Sequence, residues 1–157
     1  MSRKPITREG YKNLQDELKE LIKVKRPKII NDIEEARSHG DLKENAEYHA
    51  AKEQQGFIEG RIQHLNFLLA NSDVVDVSRL KSDKVQFGAT VTYEEIESGN
   101  IVTWKIVGED ETDVDNRKIS IKSPIGMALL GKEEGDNIIV KIPKGSIEVE
   151  ITSVEYL

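Results

Sequence analysis

The residues best suited to chemistry in this chain are two carboxylates, Asp41 and Glu44, which lie three positions apart and directly after Gly40. Carboxylate oxygens are ligands that Mg²⁺ prefers, but the ion demands octahedral coordination, so two carboxylates cannot enclose it. They can complete a site in which a partner and a phosphodiester supply the other oxygens, as in two-metal phosphoryl chemistry. The pair therefore predicts a contribution to a metal-dependent site that the chain does not hold by itself.

The same two acids also have a purely structural interpretation. Asp41 followed by Glu44 has the form of a capping box, and the macrodipole favours acidic residues at a helix N-terminus. The local sequence favours helix capping, whereas a position at the end of a long arm favours a role in a metal-dependent site. The residues 41–44 alone do not decide between the two interpretations.

Composition excludes several other kinds of site. The chain has no cysteine, which removes disulfides, thiolate metal sites and cysteine nucleophiles. His39, His49 and His64 lack the i, i+4 spacing of a helical zinc site, so we expect them on the surface. A net charge of −6 argues against a protein that wraps duplex nucleic acid. Without a long apolar stretch or a signal peptide, a cytoplasmic protein with no membrane contact is expected.

Apolar periodicity predicts a first long helix that begins after Thr7 as the N-cap. Pro27 predicts a kink or a short break within it, and Gly40 suits a left-handed stop. The residues predicted to form its apolar stripe are Tyr11, Leu14, Leu18, Leu21, Ile29, Ile30, Ile33 and Ala36.

A second helix is predicted from Leu42 to about Ala70. Its apolar stripe consists of Ala46, Ala50, Phe57, Ile58, Ile62, Leu65 and Leu69. Two long helices joined by a tight turn form an antiparallel hairpin, and the second would be roughly 43 Å long. The hairpin therefore projects as an arm and carries Asp41 and Glu44 at its tip.

The second half of the chain changes to a period of two residues, which predicts strands. The alternating segments are 85–93, 101–107, 137–142 and 147–154. One short helix, Pro124 to Leu130, opens with Ser123 as its N-cap and proline in the first position. The predicted class is α+β, with a helical hairpin over residues 1–76 and an antiparallel sheet with one short helix over residues 77–157.

The residues from Gly40 to Phe57 resemble the signature of the Gre factors, a family of bacterial transcript-cleavage factors. Similar matches occur at Phe87 to Val91, at Ser123-Pro124-Ile125 and at Val154 to Leu157. The resemblance covers essentially the whole chain. It implies an N-terminal antiparallel coiled coil and an FKBP-like C-terminal domain.

The family's activity gives these domains their implied roles. The C-terminal domain would dock on the rim helices of the RNA polymerase secondary channel, while the coiled coil reaches into the channel. In backtracked, arrested complexes the factor would stimulate the polymerase's own cleavage of the RNA 3′ end, so that elongation resumes. The chain would be a monomer and not itself an enzyme. It would bind no cofactor stably alone, and Asp41 and Glu44 would share a weakly bound Mg²⁺ with the polymerase.

The resemblance also implies further contact residues. Arg37 and Lys52 match positions associated with the extruded RNA, although solvated helix charges are the alternative. Tyr48 would either stack on a base or pack on the neighbouring helix. Ser123, Pro124 and Ile125 match the part that touches the polymerase rim. Beside them Gly126-Met127 stands where many members of the family carry Ala-Arg, so an apolar contact by Met127 is expected in place of an arginine contact.

Two other functions compete with cleavage stimulation. A related factor could enter the same channel and inhibit the polymerase, and the acids Asp41 and Glu44 favour the stimulating pattern. A peptidyl-prolyl isomerase is suggested only by the FKBP-like fold, and fold does not imply function. Its pocket would need aromatic side chains, and Phe87, Tyr93, Trp104 and Tyr156 are the residues that this half offers.

Overall fold

A computed structural model describes residues 3–40 and 45–157 of the chain. Two compact units are present within these residues. One is Tyr11–Ser72, and the other combines the described residues up to Gly10 with Asp73–Leu157. The first is helical and the second contains a five-stranded sheet, which confirms the predicted α+β class.

The first arm of the hairpin consists of α1 (Arg8–Glu20), a π-helical turn (Leu21–Lys25) and α2 (Arg26–Arg37). The N-cap prediction is confirmed, because the Thr7 hydroxyl accepts a hydrogen bond of 3.0 Å from the Gly10 amide. The predicted break near Pro27 takes the form of the π-helical turn, in which the Arg26 amide donates to the carbonyl of Leu21. Pro27 has no amide hydrogen and cannot donate to a carbonyl in the preceding turn. The wider π-helical turn keeps the backbone helical in the residues before Pro27.

The second arm is a single helix, α3 (Ala46–Ala70). The hairpin core forms where Ile29 and Ile33 of α2 pack with Ile58 and Ile62 of α3. Phe57 was predicted in the apolar stripe, but its side chain is 64% exposed. The prediction is wrong because Ile58, Ile62 and Leu65 already define the buried face at helical spacing, and Phe57 lies about 100° away from Ile58 on the helix.

Two ion pairs identify the direction of the hairpin. Arg26 pairs with Glu59, and Glu17 pairs with Arg61. The earlier residue of the first arm contacts the later residue of α3, so the arms are antiparallel. This confirms the predicted hairpin.

The second unit contains a sheet with the strand order β5-β4-β3-β7-β6. Its strands are β3 (Thr90–Glu95), β4 (Ile101–Val107), β5 (Lys118–Ser120), β6 (Asn137–Ile142) and β7 (Gly145–Glu155). All neighbours are antiparallel except β4 and β5, which are parallel. The predicted purely antiparallel sheet is therefore corrected at one edge.

Strand β3 is shorter than the predicted segment 85–93. The Ala89 amide donates to the Gln86 carbonyl at 3.0 Å, which forms a turn just before the strand. Gly88 has a φ of +89° in this turn, a conformation that favours glycine. The strand therefore starts only at Thr90, while Val85 still lies in the core.

Two further strands, β1 (Lys4–Thr7) and β2 (Ser72–Val75), form a separate two-stranded sheet that the sequence did not predict. The short helix α4 (Pro124–Leu129) packs against the edge strands β5 and β6 of the larger sheet. The buried core residues of this sheet are Val85, Ala89, Val91, Tyr93, Trp104, Ile106, Ile119, Leu129, Val140, Val149 and Ile151.

Aromatic residues that an isomerase pocket would need are part of the sheet core. Tyr93 and Trp104 are buried, and the indole nitrogen of Trp104 donates to the Tyr93 hydroxyl at 3.1 Å. Tyr156 packs against the same core. Their side chains are used for packing, which disfavours the isomerase alternative. None of the described helices is long and apolar enough to cross a membrane.

Candidate functional site at the hairpin turn

The predicted catalytic and metal-binding pair, Asp41 and Glu44, lies outside the described residues. The described residues that bracket it in sequence are Gly40 and Asn45. Gly40 follows the end of α2 and Asn45 precedes the start of α3, so the pair lies between the two arms in the sequence. Asp41 and Glu44 are oxygen donors of the kind that Mg²⁺ prefers, but two carboxylates alone do not fill its coordination shell.

The N-cap of α3 is Asn45, whereas the sequence favoured Asp41. The Asn45 Oδ1 accepts a hydrogen bond of 3.0 Å from the Tyr48 amide, and its Nδ2 donates to the carbonyl of Ala36 at 2.5 Å. Asn caps helices about as well as Asp, so the residue directly before Ala46 was an available signal. The Asp41–Glu44 spacing concealed it because that spacing has the form of a capping box.

The end of α2 is closed by three short contacts. The Ser38 amide and hydroxyl both donate to the Glu35 carbonyl, at 3.1 and 2.6 Å. The His39 amide donates to the Ala36 carbonyl at 3.2 Å. Gly40 follows with a φ of +127°, a conformation that favours glycine. The C-cap of α2 is Ser38, so Gly40 lies two residues after the C-cap and not at the predicted position directly after it.

The residues predicted to contact RNA differ in how they are used. Arg37 is exposed, and so is Lys52, whose Nζ lies 3.3 Å from the Gln55 Oε1. Tyr48 is half-buried and packs against the isoleucine core of the hairpin. Its ring also meets His49 edge-on, with centroids 5.6 Å apart. Tyr48 therefore packs on the hairpin core, whereas the side chains of Arg37 and Lys52 are exposed to solvent.

A groove between α2 and α3 lies beside the turn, and three of the residues that line it are the acids Asp32, Glu35 and Glu47. Small side chains such as Ala36 and Ala50 form part of the same groove. Among the described residues, no group of three or more His, Asp or Glu side chains is arranged to hold a metal ion. These acids therefore shape the local charge without forming a metal centre.

Four cations of the first arm, at positions 23, 25, 26 and 28, differ in their surroundings. Lys23, Lys25 and Lys28 are exposed, but the guanidinium of Arg26 donates two hydrogen bonds to Glu59, at 2.7 and 2.8 Å. The hydrogen bond from Arg26 lowers the pKa of the Glu59 carboxyl, and the positive charge adds to the effect. Arg26 thus joins the two arms instead of facing solvent as a free charge.

In the second unit, the predicted docking residues occupy the start of α4. The N-cap prediction is confirmed, because the Ser123 hydroxyl accepts from the Gly126 amide at 3.0 Å. The hydroxyl also donates to the Ser120 carbonyl at 2.6 Å. Ile125 packs against the sheet core, whereas Pro124 is exposed and Met127 is 62% exposed. Pro124 and Met127 are therefore the accessible side chains of this turn.

Two family models match the chain in succession. A model described as "Transcription elongation factor, N-terminal" matches residues 4–74. A second, described as "Transcription elongation factor, GreA/GreB, C-term", matches residues 80–156. Together they span nearly the whole sequence.

Individual relatives agree over the same length. The transcription elongation factor GreA of Pelobacter propionicus is 58% identical over 152 residues, covering 97% of this chain and 96% of that protein. The transcription elongation factor GreA of Hyphomonas neptunium is 58% identical over 156 residues, covering 99% of both. Among solved structures, the GreA factor homolog Gfh1 of Thermus thermophilus is 26% identical, covers 98% of this chain and 99% of its own, and has a TM-score of 0.45.

Proposed function

This chain belongs to the GreA/GreB family of transcription elongation factors, and we propose that it acts by stimulating the RNA-cleaving activity of RNA polymerase. In this proposal the helical hairpin enters the polymerase secondary channel and brings residues 41–44 to the active centre. The substrate is the extruded 3′ end of RNA in a backtracked complex. Cleavage creates a new 3′ end from which elongation resumes.

The geometry of the hairpin supports this proposal. Helix α3 has 25 residues, which corresponds to a length of about 37 Å. Ion pairs between the arms and the isoleucine core hold α2 and α3 side by side. A hairpin of this length can carry the segment between Gly40 and Asn45 deep into a channel, which is the single observation on which the proposal depends.

Asp41 and Glu44 would carry the chemistry at the turn. With groups of the polymerase, the two residues would hold Mg²⁺, and the chemistry that this ion supplies when bound would be activation of a water and neutralisation of charge on the phosphodiester. The two carboxylates would contribute oxygen ligands, and one of them would orient the attacking water through a hydrogen bond. The polymerase would supply the remaining ligands, since two carboxylates are too few.

Other residues would bind without taking part in bond breaking. Arg37 and Lys52 are exposed cations that would contact phosphates of the extruded RNA. Tyr48 would support them from its packed position against the hairpin core. The exposed side chains of the α4 turn, Pro124 and Met127, would contact the rim of the channel.

The test uses a stalled, backtracked elongation complex with labelled RNA, the purified protein and Mg²⁺. Asp41→Ala and Glu44→Ala are each expected to abolish stimulated cleavage while polymerase affinity stays nearly unchanged. Asp16→Ala is the control, because it removes a carboxylate that pairs with Lys12 in α1, far along the chain from the turn. Unchanged cleavage by both turn variants would instead support an inhibitor that occupies the channel.

A further inference from the structure

We infer that Asn45 is a positioning residue that ties the end of α2 to the start of α3 and so fixes the helix ends that bracket residues 41–44. The inference rests on the proposed function, because it concerns the residues that would carry the cleavage chemistry. No direct contact of Asn45 with RNA or metal is required.

The side chain of Asn45 makes one hydrogen bond to each arm. Its Nδ2 donates to the carbonyl of Ala36 in α2, and its Oδ1 accepts from the amide of Tyr48 in α3. Only one orientation of the amide satisfies both contacts, because the carbonyl accepts and the backbone amide donates. The two hydrogen bonds together therefore fix the orientation of the Asn45 side-chain amide.

Both partners are backbone groups at helix ends, where the last carbonyls and the first amides lack the regular i, i+4 hydrogen bonds. The Ala36 carbonyl accepts from the His39 amide at 3.2 Å and also from Asn45. Ala36 is a core residue with 4% exposure, so its carbonyl is anchored in the packed part of the hairpin. One side chain thus connects the fixed end of one arm to the first turn of the other.

The chemistry of asparagine explains why other capping residues cannot do this. Aspartate would cap α3 equally well, but it has no donor for the Ala36 carbonyl. Serine and threonine also cap, and a hydroxyl can donate as well as accept, but its single oxygen would have to lie within hydrogen-bonding distance of both the Tyr48 amide and the Ala36 carbonyl. The longer asparagine side chain contacts the two groups with two separate atoms. Because a working site tolerates displacements of only about 0.5 Å, loss of this connection is expected to act on catalysis before it acts on folding.

The decisive variant is Asn45→Ser, which keeps an N-cap and removes the bond to Ala36. Asn71→Ser is the matched control, because the Asn71 Nδ2 donates to the Phe67 carbonyl at 2.8 Å at the other end of α3. Both variants lose one amide-to-carbonyl hydrogen bond, but only Asn45→Ser separates the two arms. Asn45→Thr repeats the test with a second capping residue if the serine variant folds poorly.

Four quantities are measured on the full chain. The Mg²⁺ concentration for half-maximal stimulated cleavage is expected to rise about tenfold for Asn45→Ser, the size typical of residues that orient ligands. Polymerase affinity and the thermal midpoint are expected to match those of Asn71→Ser. The fourth quantity is the distance between spin labels on Glu34→Cys and Glu53→Cys, two exposed positions in a chain without native cysteine. The label distance distribution should broaden for Asn45→Ser only.

The outcomes separate this inference from the proposed function. If the wild-type chain stimulates cleavage but Asn45→Ser has the same Mg²⁺ requirement and the same label distances, the inference is overturned. If Asn45→Ser and Asn71→Ser raise the Mg²⁺ requirement equally, Asn45 has only a structural role and the inference is also overturned. If the wild-type chain fails to stimulate cleavage, the proposed function is wrong, and the label distances still report whether Asn45 ties the arms together.

Discussion

The guanidinium of Arg61 and the carboxylate of Glu17 meet through two parallel hydrogen bonds, with Nε–Oε2 and Nη2–Oε1 distances of 2.6 and 2.8 Å. This bidentate geometry joins α3 to α1 and orients both side chains. The hydrogen bond from Arg61 is the main reason that the pKa of Glu17 falls below its ordinary value of 4.5. The pair makes a testable contribution to stability because its geometry is well defined.

The first prediction concerns the pH dependence of this pair. Since the folded pKa of Glu17 is lowered, its contribution is fully present above the unfolded pKa and is lost as pH falls through the folded value. Glu17→Gln should lower the free energy of unfolding by up to about 1 kcal/mol at neutral pH, as for partly exposed pairs. Urea unfolding at pH 7 and pH 3 measures the difference, which should shrink at pH 3.

Asp16→Asn, in the more exposed pair with Lys12, is the control and should have a smaller effect. A Glu17→Gln effect that is equal at both pH values would contradict the assignment.

The second prediction separates capping from chemistry at the turn. Because Asn45 caps α3, Asp41→Asn should leave the thermal midpoint unchanged and still abolish stimulated cleavage. Calorimetry and the labelled-RNA assay measure the two quantities on the same preparation. A drop in the midpoint as large as that of Asn45→Ala would show that Asp41 is mainly structural.

The third prediction concerns a carboxylate that links β1 to the loop after β4. Glu111 accepts hydrogen bonds from the Thr7 amide at 3.1 Å, from the Thr7 hydroxyl, and from the Gly108 amide at 3.0 Å. Glu111→Ala removes the Oε2 that accepts from both backbone amides and leaves these donors without that partner, so a loss of about 1–3 kcal/mol is expected. Urea unfolding measures it. Glu109→Ala is the control, because Glu109 pairs with Lys4 and Lys122 at the surface and its loss should be smaller.

The fourth prediction concerns Tyr156 near the C-terminus. Its hydroxyl donates to the Lys84 carbonyl at 2.5 Å and accepts from the Gln86 amide at 3.1 Å. Tyr156→Phe removes both bonds and should cost about 1–2 kcal/mol in the free energy of unfolding.

The same residue also gives a pH dependence. Burial raises the pKa of Tyr156, so the stabilisation by its neutral hydroxyl is present below the unfolded pKa of 10.0 and is lost as pH rises through the folded value. Unfolding measured between pH 8 and pH 11 should therefore show a shallower alkaline decline in the variant. An unchanged slope would count against this role.

The fifth prediction tests docking by the α4 turn. Met127 is mostly exposed, so Met127→Ser should weaken polymerase binding without changing the thermal midpoint. Ile125→Ser should lower the midpoint, because Ile125 packs against the core. Binding is measured by titration of labelled protein with polymerase. Equal affinity of the wild type and Met127→Ser would exclude this side chain from the interface.

Part of the candidate site was predictable because it depends on local sequence. The two caps at Thr7 and Ser123 were predicted, since a cap forms with amides only a few residues away. The two helices that flank this segment followed from the apolar periodicity, although the second was predicted to begin at Leu42 and α3 begins at Ala46. The bond from Asn45 to Ala36 was not predicted, because it crosses from one helix to the other and nothing in the neighbouring residues indicates such a contact.

The sequence by itself determined the two arms of the hairpin and the strands β3, β4, β6 and β7, because apolar residues repeat with the period of each element. The bounds of β4 and β6 agree with the alternating segments 101–107 and 137–142. Only the tertiary structure decided that β1 pairs with β2, that β5 joins β4 in parallel, and that Glu111 receives the Thr7 donors. These contacts join residues far apart in the chain. Their free energy depends on which groups the folded backbone brings together, which local periodicity does not encode.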